Sequence, residues 1–302
     1  MGEYSKRIGE IGESIVELFT EAIGWKSSVR KVDIPNVNIE EDNKKTHGLD
    51  GYFQYTGPMI SNTVENILIS VKYTTLPYPN SPTTTFKEYY EDLASALNSF
   101  GKSELKYNSS NYRNNVSETF DRGVLFWLSN SPESYDDLVS KLARIHLPKD
   151  FVNSGIFLVD NKRIAFIYDT LLYTKMRYPG AEIDFLYFST GLNSDERIAK
   201  NGKIMPVQYL NSSVIPLRVQ QGGETTIVLS CLDSFDREEL TKYMGLAKNL
   251  GINLQGNTEL CFSNYRQSEH APIVNQLKQQ FDDPTFTDRL TVINPHNLLL
   301  NN

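Results

Sequence analysis

Apolar residues recur at helical spacing near the start of the chain. Ile8, Ile11, Ile15, Leu18 and Ala22 alternate steps of three and four, which draws one stripe and predicts an amphipathic helix over residues 3–24. Gly24 stands where a helix C-terminal glycine belongs. Three strand candidates follow at 27–34, 49–55 and 66–74, with a polar Asn-, Glu- and Lys-rich loop at 36–47 between the first two. Pro77, Pro79 and Pro82 break the chain. Phe86, Tyr89, Tyr90, Leu93, Ala96 and Leu97 then predict a helix over 84–100. Residues 108–115 form an Asn/Ser-rich loop, and the continuous apolar run 123–128 has the pattern of a fully buried strand.

The order is therefore helix, three strands, helix, strand. Beyond it the pattern predicts a helix over 133–145, strands at 155–159 and 163–168, and a β-rich stretch at 180–220. Two strand–helix units close the chain, 225–229 with 238–250 and 259–263 with 271–281. Such alternation indicates an α/β protein, and the expected division is a first domain over 1–150 and a C-terminal α/β domain over 151–302.

Composition narrows the class. The chain has 302 residues, of which 39% are hydrophobic and 22% charged, enough to bury a core and unlike a disordered chain. No run approaches the ~20 apolar residues of a membrane span, and the first residues are charged, without an apolar signal core. Cys231 and Cys261 lie in apolar runs without metal-type spacing. These features place the protein in the cytoplasm, with no membrane partner. The net charge of −7 and pI of about 5.3 oppose broad phosphate binding. They point instead to a local basic patch, best represented by Lys26, Arg30, Lys31, Lys44 and Lys45, or to a partner subunit.

Candidate chemistry falls in the first half. Glu13 lies beside Gly9 and Gly12 on the first helix, Asp50 between Gly48 and Gly51 at the second strand, and Ser70-Val71-Lys72 in the third. A lysine inside an apolar strand is costly unless it is paired or placed at a cleft. Carboxylates with a lysine suit metal-assisted phosphodiester hydrolysis. Magnesium takes hard oxygen ligands, and an ammonium offsets charge developing on the phosphate.

This ordered set resembles the PD-(D/E)xK nuclease superfamily, and the Gly9-x-x-x-Glu13 spacing resembles its archaeal resolvase-like and Mrr-like branches. The resemblance implies a restriction-endonuclease-like core, αβββαβ, with a mixed sheet flanked by helices. It also implies Mg2+ or Mn2+ as cofactor and DNA as substrate. By it Asp50 is the central metal ligand, Lys72 the catalytic lysine, Glu13 an additional carboxylate, and the Val71 carbonyl a further ligand. The family's usual acid two residues before the lysine is here Ser70. Some superfamily members with Ser-x-Lys draw the missing acid from the following helix, where Glu88 is the first choice and Glu91 the second; Glu13 is the favoured replacement overall.

The expected function is a metal-dependent deoxyribonuclease acting with a partner subunit or as a homo-oligomer. In overall form it resembles nuclease-fold subunits of bacterial two-protein anti-phage systems. The alternative is a non-catalytic nuclease-fold subunit that binds DNA while a partner cuts; Ser70 keeps it open. His47, His146, His270 and His296 are isolated, with His47 expected in a solvated loop. Tyr73, Tyr78, Tyr89 and Tyr90 fit core packing before base stacking, and the lack of a phosphate-binding Gly-rich loop excludes an ATPase.

Overall fold

The computed structural model describes residues 2–26, 29–36, 45–110, 116–131, 137–147, 155–193, 200–251 and 256–296. They form two compact units, one of residues 1–165 with 190–198 and one of residues 166–189 with 199–302.

The first unit is built on a five-stranded sheet in the order β1 (Val29–Pro35), β2 (Thr46–Thr56), β3 (Thr63–Thr74), β4 (Glu118–Ser129), β5 (Ile156–Val159). The first three strands are antiparallel, and β4 and β5 join parallel. With α1 (Gly2–Ala22) before β1 and α2 (Thr83–Phe100) between β3 and β4, the order is αβββαβ. The sheet is mixed and flanked by helices. β5, past the expected boundary at 150, is hydrogen-bonded into this first sheet.

β3 is the central strand. Its first eight residues are buried, while Val71 to Thr74 are half-exposed. Leu68 packs with Leu93, Leu97 and Trp127 in the core under α2. On the other face Phe19 of α1 meets Phe126 edge-on at 5.9 Å, and Trp25 stacks on Phe53 at 5.7 Å. Side chains alternate across a strand, so Ser70 and Lys72 share the α2 side with Leu68, and Val71 and Tyr73 face α1.

Helix α1 corrects one expectation. The stripe Ile8 to Ala22 is present, but Ile11, Ile15 and Leu18 are 44%, 36% and 68% exposed. The sheet instead takes the face of Gly12, Val16 and Phe19, which continues into Ile23. Two apolar faces compete, and the one containing a glycine approaches closest: a Cβ on Gly12 would collide with the side chain of Tyr73. Gly9 has no such neighbour, so the glycine pair beside Glu13 is one close contact and one open position.

Other expectations shift. Residues 163–168 are not a strand but part of helix α5, Asn161–Arg177, because Asp160 accepts the Arg163 backbone N–H and caps its start. A short helix α3, Glu104–Ser110, occupies part of the expected loop at 108–115, whose residues 111–115 lie outside those described. The helix expected over 133–145 is α4, Leu138–Leu142, with 132–136 outside the described residues. His47 lies in β2 and is buried, opposite Ile34. Tyr78 and Tyr90 are buried, and Tyr89 meets the Trp127 ring edge-on at 5.3 Å, so these tyrosines pack rather than stand free.

The second unit holds a six-stranded sheet in the order β11 (Leu290–Ile293), β10 (Asn257–Phe262), β9 (Glu224–Cys231), β8 (Val214–Gln221), β6 (Glu182–Leu186), β7 (Asn201–Gly202). β9, β10 and β11 are parallel; β6, β7 and β8 are antiparallel additions. Helices α6 (Arg237–Gly251) and α7 (Gln267–Gln280) supply Leu240, Tyr243, Met244, Val274 and Leu277 to its core. Cys231 and Cys261 are free and buried, and burial pushes both thiols well above their ordinary range.

The close approach at Gly12 is testable. Gly12→Ala should lower stability by about 1–3 kcal/mol, the usual cost of overpacking, while Gly9→Ala, into open space on a helix, should hold or raise it. Thermal melts of both variants check this.

Candidate active site

The site forms where two strands part. β2 and β3 pair from Thr56–Val64 to Gly51–Ile69, and there their ladder ends. β2 continues along β1 to Thr46, while β3 continues along β4 to Thr74. At the fork the Asp50 carboxylate accepts the Val71 backbone N–H at 2.6 Å, replacing the lost strand partner. In an extended strand the N–H and C=O of one residue point to the same side, so the Val71 carbonyl faces this gap too.

The alternation of β2 slips at the same place. Leu49 and Tyr52, three residues apart, both enter the core under α2, while Asp50 and Gly51 both line a groove of about 480 Å3 against α1. Across the β1–β2 ladder, Arg30 pairs with Gly51 and Val32 with Leu49, which sets Lys31 opposite Asp50. Lys31 has φ +50°, in the left-handed region that non-glycine residues rarely occupy.

The groove gathers Glu10, Glu13, Ser14 and Glu17 of α1 with Arg30, Lys31, Asp50 and Val71. Glu13 pairs with Lys31 at 3.5 Å, and Glu17 pairs with Arg30. Burial raises the Asp50 carboxyl above its ordinary range. The Val71 N–H and the Lys72 and Lys31 charges oppose that rise, and the Glu13 charge adds to it. Asp50 thus sits close enough to Glu13 for the two carboxylates to repel.

Lys72 lies on the other face of β3. Its ammonium is 3.7 Å from Asp92 of α2 and 5.2 Å from the centre of the Tyr89 ring. Ser70 and Asp92 line a smaller cavity of about 220 Å3 with His47, Gly48 and Leu49. The structure therefore brings Glu13, Asp50 and Val71 together, and holds Lys72 across the strand, where its field still reaches Asp50. Glu88 is exposed on α2, and Asp92, one turn further on, is the acid that meets Lys72. Asp92 and Lys31 were both missed as site residues. The first is signalled only by its i,i+3 relation to Tyr89 on one helix face, the second only by strand register. Of the expected basic patch, Arg30 and Lys31 line the groove, Lys26 and Lys45 are exposed, and Lys44 lies outside the described residues.

The donor set suits a hard divalent cation. Magnesium binds through one or two carboxylates and keeps several waters for substrate oxygens to replace. Glu13, Asp50 and the Val71 carbonyl supply such a set, and a cation would offset the repulsion between the two acids. Among the described residues no group of three or more His, Cys, Asp or Glu side chains has the arrangement that would by itself hold a metal ion.

The family model described as "GAPS4 protein PD-(D/E)XK nuclease domain" matches residues 1–163, just over half of the chain. No curated protein and no solved structure matches. The chain belongs to this family, a PD-(D/E)XK nuclease lineage of anti-phage defence proteins. Among the described residues no helix is long and apolar enough to cross a membrane.

Ionised Asp50 should cost the free protein stability. Its folded pKa is raised, so the folded state holds the proton more tightly and stability falls as pH rises from the ordinary carboxylate range through the raised value. Asp50→Asn, which keeps an acceptor for Val71, should melt higher than wild type at neutral pH without divalent cations. The gap should close in acid below about pH 4, near the ordinary carboxylate pKa. Equal melting temperatures across that range would contradict the assigned environment.

Proposed function

We propose that the chain is a metal-dependent deoxyribonuclease of anti-phage defence, cutting DNA phosphodiesters at the fork between β2 and β3. The observation that carries this reading is the convergence of Glu13, Asp50 and the Val71 backbone on one groove at that fork, in a chain of nuclease family. When bound, Mg2+ or Mn2+ would polarise the scissile phosphate and lower the pKa of a water. Glu13 and Asp50 would hold the cation, with the Val71 carbonyl as a neutral ligand.

The remaining residues prepare the site. The Val71 N–H fixes the Asp50 carboxylate toward the gap. Lys72 carries the charge that offsets the developing phosphate anion. In the free protein Asp92 and the Tyr89 ring hold its ammonium near the fork. Ser70 is buried and small, which leaves room beside Lys72 where the family usually has an acid. Arg30 and Lys31 give the groove positive charge for the DNA backbone within an acidic chain. The C-terminal α/β unit would serve recognition or assembly, and the acidic balance favours work with a partner subunit.

A second reading is a non-catalytic nuclease-fold subunit that senses DNA while a partner cuts. It is favoured by Ser70, which stands where the family usually has an acid. Incubation with linear, nicked and circular DNA plus Mg2+, with and without a co-expressed partner, separates the two. Lys72→Ala should abolish cleavage while stability changes by under about 1 kcal/mol, as for a part-exposed ion pair. Glu13→Gln should weaken metal binding by tens-fold, and Glu88→Gln should leave it unchanged. Cleavage at wild-type rate by Lys72→Ala would remove the lysine's assignment, and cleavage only by the partner would establish the second reading.

A further inference from the structure

The field inside the groove is carried by a residue that the family resemblance does not call on. Lys31 is opposite Asp50 in the β1–β2 register and pairs with Glu13, so it lies between the two acids that would hold a cation. Its charge also lowers the Asp50 pKa against burial and Glu13. Its backbone is left-handed at φ +50°, a conformation that is strained for an L-residue with a Cβ and persists only where surroundings enforce it. Glycine would serve that turn without strain; a lysine there keeps an ammonium at this point.

We infer that Lys31 is a built-in counter-ion, which offsets part of the negative charge of Glu13 and Asp50 in the metal-free protein and must be displaced for a divalent cation to bind. The inference rests on the reading of this groove as the metal site. A fixed ammonium at the fork and a dication between the same carboxylates repel, so one excludes the other. Lys31 then sets the metal concentration at which the site loads. Its side chain is 68% exposed, so once released from Glu13 it can swing to solvent or to a DNA phosphate without leaving a buried charge. Arg30 is its neighbour in the groove but is paired with Glu17, one turn along α1.

The test is Mn2+ binding to the full-length protein, read by the loss of free-ion signal in electron paramagnetic resonance, without DNA. Lys31→Met removes the ammonium, and Lys31→Gly removes it while relaxing the backbone, which guards against a misfolded variant. Both should bind Mn2+ about tenfold tighter than wild type, the scale of one nearby charge in a solvated groove. Arg30→Met, which removes equal charge from the same groove, should change affinity by less than about twofold because Arg30 is held by Glu17 and its charge is not among those acting on Asp50. Unchanged or weaker binding in both Lys31 variants, or an equal gain in Arg30→Met, would overturn the inference alone. Absence of Mn2+ binding in wild type and in both Lys31 variants alike would remove the metal-site reading and the inference with it.

Discussion

The Asp50 carboxylate takes the Val71 backbone N–H at the point where β2 leaves β3. A strand that loses its neighbour inside a sheet leaves backbone groups unsatisfied, which is costly unless something replaces the partner. Here the replacement is a charged side chain, and the cost of burying it shows as a raised pKa. Much else follows from that substitution. The alternation of β2 slips at Asp50–Gly51, Lys31 opposite it turns left-handed, and the groove against α1 opens between them. A site built on such a break holds a carboxylate of β2 against the central strand β3 while leaving one side open to solvent.

The charges around the fork are divided by the sheet. Glu13, Asp50 and Lys31 lie on the α1 side, and Lys72, Asp92 and Ser70 lie on the α2 side. β3 separates them physically but not electrically, because the Lys72 charge still reaches Asp50. The strand thus has a carboxylate groove on one face and a lysine held by an acid and an aromatic ring on the other. The lysine is kept in place by partners that are themselves part-exposed, so releasing it is inexpensive.

The element order αβββαβ was legible because each element carries its own period: the unbroken apolar run of β4, the helical spacing from Phe86 to Leu97, and the prolines between. Asp50 and Lys72 stood out because a charge in an apolar strand requires a reason. What escaped was decided by packing. The visible stripe of α1 is the exposed one, since the sheet selects the face with Gly12. A helix periodicity cannot say which of two apolar faces is used. Asp92 was hidden because an acid on an amphipathic helix looks the same whether it meets water or a lysine. Lys31 was legible only as part of a basic patch, because its place beside Asp50 lies in register and in a backbone angle. Residues 163–168 have an apolar spacing too short to distinguish strand from helix, and the Asp160 cap that starts the helix precedes them.

We propose that Glu13, Asp50 and the Val71 carbonyl form one divalent-cation centre. Anomalous diffraction from crystals grown with Mn2+ addresses it directly. The account predicts a manganese peak at the β2–β3 fork, with oxygen ligands from Asp50, Glu13 and the Val71 carbonyl at about 2.0–2.3 Å, as hard-cation coordination requires, and with Lys31 displaced from Glu13. A peak between Asp92 and Ser70 on the opposite face, or none at the fork at saturating Mn2+, would contradict it.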